Sequence, residues 1–91
     1  MKTILVVEDD KLYRWALRDA LENEGYEVIE AEDGKTARVS LANGVSMAVL
    51  DYHLPDGTGF ALLDEIKRLG RSYPAIILTA HPNDEGKEEA I

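Results

Sequence analysis

The chain has 91 residues, 45% of them apolar and 31% charged, with 18 acids against 10 bases and no cysteine. That length holds one domain, 1–91, with a small core; without thiols there is neither a disulfide framework nor a thiolate metal site, and no apolar run nears the roughly 20 residues of a membrane span. A net charge of −8 argues against direct nucleic-acid contact, and the run Ile4–Val7 is too short for a secretion signal and leads into acids, so a cytoplasmic location with no membrane association is expected.

Ile4-Leu5-Val6-Val7 is apolar and β-branched, which predicts a central strand, and Glu8-Asp9-Asp10 ends it. From about Lys11 to Asn23 two stripes recur at helical spacing, Leu12/Ala16/Ala20 and Tyr13/Leu17/Leu21, with Asp10 available as N-cap. Trp15 falls off both stripes and is expected partly exposed, either packing over neighbouring stems or facing a partner. Glu24-Gly25 predicts the helix stop, with Gly25 left-handed. Tyr26 to Ala31 is a short, more polar strand suited to an edge. Asp33-Gly34 caps a second helix, roughly Lys35 to Ala42, carrying Ala37, Val39 and Leu41, and Asn43-Gly44 ends it.

Met47 to Leu50 is dense enough to be a strand buried on both faces. It delivers Asp51 and breaks into a loop in which Pro55, Gly57 and Gly59 read as turn residues. Phe60, Leu62, Leu63, Ile66 and Leu69 predict an amphipathic third helix with Asp64, Glu65, Lys67 and Arg68 outward, closed by Gly70. Pro74 precedes a fourth strand, Ala75 to Leu78, which ends in Thr79-Ala80. The polar segment from His81 to Ile91 is expected to begin a fourth helix. Strands alternating with helices at this spacing imply parallel pairing through right-handed crossovers, with helices on both faces of the sheet. The fourth strand is expected to border an open edge.

Glu8 and Asp9 follow the first strand and Asp51 ends the third. In open α/β sheets ligands sit beyond the carboxyl ends of the strands, so these acids share a crevice if the two strands are neighbours. Carboxylates held close together repel unless a cation joins them, and hard oxygen ligands suit Mg2+ better than Zn2+. A carboxylate beside such a cation is suited to phosphoryl transfer, attacking as nucleophile, with the Thr79 hydroxyl placed to meet a phosphoryl oxygen. From residues alone, the chain carries an acidic metal site beside a candidate nucleophile. An aspartyl-nucleophile phosphatase would need a second Asp where His53 stands. A dinucleotide binder would need Gly or Ser/Thr where Glu8-Asp9-Asp10 stands.

Three stretches, Ile4-Leu5-Val6-Val7-Glu8-Asp9-Asp10, Leu50-Asp51-Tyr52-His53-Leu54-Pro55-Asp56-Gly57-Thr58-Gly59 and Ile77-Leu78-Thr79-Ala80-His81, together resemble the receiver domain of bacterial two-component response regulators. The resemblance implies a flavodoxin-like three-layer α/β/α fold with strand order 2-1-3-4. It makes Asp51 the phosphoacceptor, served by a sensor histidine kinase or phosphotransfer domain. Mg2+ would be held by Glu8, Asp9, Asp51 and the backbone carbonyl of His53, whose side chain is expected in solvent. Thr79 matches the switch hydroxyl and Ala80 the small residue beside it. Such a domain assists its own phosphorylation and dephosphorylation without being an enzyme with a separate substrate. The family's fifth strand, with its Lys, has no counterpart before Ile91, and Lys87 is poorly placed to replace it. Metal binding is therefore expected to survive in this stretch, with phosphorylation and switching impaired. The alternative is a phosphorylation-impaired interaction module that self-associates, as a homodimer, through the open sheet edge.

Overall fold

The computed structural model describes residues 2–70 and 74–78. Along the chain run β1 (Thr3–Val7), α1 (Lys11–Asn23), β2 (Glu27–Ala31), α2 (Gly34–Leu41), β3 (Met47–Asp51), β4 (His53–Leu54), β5 (Gly57–Thr58), α3 (Gly59–Arg68) and β6 (Ala75–Leu78). Four strands form one parallel sheet in the order β2-β1-β3-β6, the flavodoxin-like arrangement, in which β6 is the fourth strand read from the sequence. The two-residue strands β4 and β5 pair antiparallel as a small hairpin. It lies in the Pro/Gly-rich loop after Asp51, where the sequence gives no alternation long enough to predict a strand.

The central pair is set by its apolar content. Leu5, Val6, Val7, Ala48 and Leu50 are fully buried and Ile4 nearly so, as expected of strands covered on both faces. Each such large aliphatic side chain contributes about 1.5–3 kcal/mol by leaving water. Successive residues point to opposite faces, which splits the core in two. On one side Leu5, Val7, Ala48 and Leu50 pack with Ala37 and Leu41 of α2 and Leu62 and Ile66 of α3. On the other, Ile4, Val6 and Val49 pack against Leu17 and Leu21 of α1.

Helix ends follow local chemistry. Asp10 caps α1, its carboxylate accepting from Leu12 N and Tyr13 N. Asp33 caps α2 through Thr36 N and Thr58 caps α3 through Ala61 N. Gly25, beyond the end of α1, takes φ +95°, the left-handed conformation expected there.

Several apolar positions lie differently from the pattern. Of the two α1 stripes only Tyr13/Leu17/Leu21 faces the sheet; Ala16 and Ala20 are exposed and Leu12 is 78% exposed. A helix on one face of a sheet has one apolar contact strip, so the second stripe points outward. Trp15 is exposed as expected, and so, against expectation, are Val39, Phe60 and Leu69. Glu65, expected outward, is only half-exposed because it pairs with Arg38 of α2 at 2.8 Å. The second helix begins one residue earlier than read, and Tyr26 lies outside β2. Thr79, Ala80 and the expected fourth helix lie outside the described residues.

Candidate functional site

The site follows from one register. β1 and β3 are neighbours with Val7 opposite Leu50, so the next residue of each strand, Glu8 and Asp51, emerges at the same carboxyl end. Glu8 is fully buried and Asp51 nearly so, the two buried acids among the described residues. The loop from β1 into α1 adds Asp9, which is exposed. One carboxylate oxygen from each of Glu8, Asp9 and Asp51 lies within 4.8 Å of the others. Asp10, next in the chain, is turned away to cap α1.

Main-chain contacts hold these acids in place. Glu8 N donates to Ala31 O at 3.0 Å, and Glu8 O accepts from Arg14 Nη1 at 2.7 Å. The Glu8 side chain accepts from Asp10 N at 2.9 Å. At Asp51 the strand end is fixed on both sides. Tyr52 N donates to Leu78 O of β6 at 2.8 Å, and Tyr52 O accepts from Gly59 N of α3 at 2.8 Å. A Cβ at Gly59 would lie 2.4 Å from Asp51 O. Gly59 is therefore glycine because α3 starts against the β3 backbone, a stronger demand than the turn chemistry read from sequence.

Three residues missed by sequence reasoning support this frame. Arg14 of α1 reaches Glu30 of β2 at 2.9 Å, its side chain only 14% exposed, while also holding Glu8 O. Arg18 shares the same Glu30 carboxylate. Burial acts to raise the Glu30 pKa, but the hydrogen bonds from Arg14 and Arg18 outweigh it and leave the carboxyl below its ordinary value. Asp56, in the β4–β5 turn, accepts from Gly34 N at 2.9 Å and Lys35 N at 3.0 Å. These N–H groups, Gly34's foremost, hold its carboxyl below the usual range. Asp10 and Asp33 could be read as caps from adjacent sequence, but Arg14 and Asp56 act on distant partners and carry no local signal.

Chemically the cluster is a set of hard oxygen donors with no sulfur or nitrogen ligand. At such separations each pair of like charges repels by about 3–4 kcal/mol in a partly buried setting, so the arrangement fits a divalent cation that joins them. Asp9 leaves one side open to solvent. His53 opens β4 with an exposed side chain, as expected, its ring edge-on to Tyr52 at 4.7 Å. Thr79, the expected switch hydroxyl, lies outside the described residues.

Fold and site together define an open parallel α/β domain with a cation-type acidic cluster at the carboxyl edge of its sheet. The family of the response regulator receiver domain matches residues 4–91, and the chain belongs to that family. It is 34% identical over 89 residues to the transcriptional regulatory protein PhoP of Escherichia coli, covering 97% of this chain and 40% of that protein. It is 37% identical over 83 residues to a cyclic di-GMP phosphodiesterase of Thermotoga maritima, covering 91% of this chain and 22% of the relative. The chain thus spans less than half of these curated relatives. Among solved structures, the complex of histidine kinase ThkA with response regulator TrrA, the latter from Thermotoga maritima, matches at a TM-score of 0.82. That match is 32% identical and covers 99% of this chain and 78% of that one.

Proposed function

We propose that this domain is the phosphoacceptor of a two-component phosphorelay, taking a phosphoryl group onto Asp51 from a sensor histidine kinase or phosphotransfer domain. The observation that carries the reading is the β1–β3 register, which sets buried Glu8 and Asp51 with Asp9 inside 4.8 Å. Family membership and the kinase–regulator complex among its structural neighbours support it. An Asp51 carboxylate oxygen attacks phosphorus, the P–N bond of the donor phosphohistidine breaks, and its electron pair returns to the imidazole nitrogen. Glu8, Asp9, Asp51 and the His53 carbonyl would hold Mg2+. The cation, when bound, neutralises charge on the phosphoryl oxygens. Arg14 and the Tyr52 peptide fix the two strand ends so that the nucleophile meets the donor in one orientation.

The resulting acyl phosphate biases a two-state equilibrium sensed through the Thr79 hydroxyl. The domain assists its own phosphorylation and hydrolysis and works in the cytoplasm, without touching nucleic acid. A self-associating interaction module explains neither the burial of Glu8 and Asp51 nor their alignment with Asp9. The test is incubation with Mg2+ and a small acyl-phosphate donor, read by intact mass. A partial adduct of one phosphoryl group, in line with the impaired phosphorylation expected of this stretch and lost in Asp51→Asn and with chelator, is expected; stoichiometric labelling refutes the impairment. Labelling that persists in Asp51→Asn, or no labelling by either a small donor or a phosphorylated kinase, refutes the assignment.

A further inference from the structure

We propose that Asp56 is a positioning residue for the cation site: its carboxylate fastens the turn that follows Asp51 to the first turn of α2, and so fixes the main chain around His53. The inference rests on the reading of Glu8, Asp9 and Asp51 as a cation site and deepens it. Asp56 Oδ1 accepts from Gly34 N and Oδ2 from Lys35 N, at 2.9 and 3.0 Å. These are two of the donors that a helix start leaves without intrahelical partners. Asp33 already caps the same helix through Thr36 N at 2.8 Å. The α2 N-terminus is thus held by one carboxylate from its own segment and a second from more than 20 residues along the chain. The local cap serves the helix; the distant one ties the β4–β5 turn to it.

Gly34 carries the second observation. A Cβ there would lie 3.2 Å from both Asp56 Oδ1 and Arg38 Nη1, with Asp56 Oδ2 in ordinary contact at 3.5 Å, so the carboxylate lies close against this glycine. Gly34 is buried and its φ is not among the positive ones. Backbone freedom does not explain glycine here; a side chain would instead press on the Asp56 carboxylate and the Arg38 guanidinium, which would have to give by a few tenths of an ångström. The rest of the loop is fastened to itself and to the sheet. His53 pairs with Thr58 and Leu54 with Gly57, while Tyr52 binds Leu78 and Gly59. Asp56 adds the charge-assisted link from this loop to α2, and it stands three residues beyond the proposed carbonyl ligand. Removing it leaves the hairpin intact and frees its tilt. Groups that orient a metal's ligands typically change affinity about 10–100-fold when lost.

The experiment compares the wild-type chain with Asp56→Ala and Asp56→Asn by Mg2+ titration followed by NMR, and by amide exchange of the metal-free proteins. Asp56→Ala is expected to weaken Mg2+ binding about tenfold. It is also expected to speed exchange at Gly34, Lys35 and residues 52–59 while β1 and β3 stay protected. Asp56→Asn, with one acceptor oxygen retained, recovers part of both effects and carries the test if the alanine variant unfolds. Unchanged Mg2+ affinity in both variants, or faster exchange confined to Gly34 and Lys35, overturns the proposal and leaves Asp56 as a helix cap. A wild-type chain that takes up no Mg2+ sinks the cation reading itself, and the positioning role with it. That outcome differs from one in which the wild type binds and the variants bind equally.

Discussion

Replacing Gly59 with alanine tests the contact between α3 and the end of β3. The added Cβ would sit 2.4 Å from Asp51 O, 3.1 Å from Asp51 C and 3.4 Å from Tyr52 Cα. Ordinary contact begins near 3.4 Å, so about 1 Å of movement is needed. The atoms in the way are main chain: Asp51 pairs with Leu78 in the ladder, and α3 is anchored by buried Leu62 and Ile66. Overpacking of this kind costs about 1–3 kcal/mol, and the helix preference of alanine over glycine returns less than about 1. A net loss of about 1–2 kcal/mol is expected, which for a domain of this size lowers Tm by roughly 4–16 °C. Gly25→Ala is the control. Its φ of +95° is strained for alanine by about 1–2 kcal/mol, but nothing lies within 4 Å and the acidic cluster is far along the chain. Urea unfolding followed by circular dichroism should show both variants weakened, and Mg2+ titration should show only Gly59→Ala losing affinity. A Gly59→Ala protein as stable as wild type, or one with full Mg2+ affinity, refutes the close-contact reasoning.

Arg14→Ala strips a hydrogen bond from Glu8 O and one from Glu30; Arg18 stays on Glu30, so thermal unfolding should report a loss of about 1–2 kcal/mol. The Glu30 carboxyl, held below its usual 4.5, contributes stability above its unfolded pKa that disappears as pH falls through the folded value. Urea midpoints should therefore decline below about pH 4.5, and Glu30→Gln should flatten that decline. Leu5→Ala in the fully buried core should cost about 2–5 kcal/mol, whereas Leu12→Gln on the outward stripe of α1 should stay within about 0.5, both by urea unfolding. Millimolar Mg2+ should raise Tm and chelator should lower it, about 2.7 kcal/mol being gained at a hundred times Kd; in Asp9→Asn the gain should shrink.

Where neighbouring residues determine the outcome, the sequence was a sufficient guide. α1 begins and ends where Asp10, the periodic run and Glu24-Gly25 place it, and β6 spans the predicted Ala75 to Leu78. Glu8, Asp9 and Asp51 were legible because each follows an apolar run whose strand character is strong, and the parallel order then brings them together. The misreadings share a cause. Leu12, Val39 and Phe60 are apolar at helical spacing, but spacing does not say which side of a helix meets the sheet. Gly59 resembles any turn glycine until β3 is seen beneath it. Asp56 and Arg14 bond across 22 and 16 positions, distances at which local pattern carries no information.

Tyr52 is held almost wholly through its peptide atoms, the amide to Leu78 and the carbonyl to Gly59, while its ring rests edge-on against His53 and Phe60. A position anchored by main chain has wide latitude in what side chain it carries. Changing the side chain at position 52 therefore leaves in place the two main-chain bonds that fix the end of β3 beside Asp51.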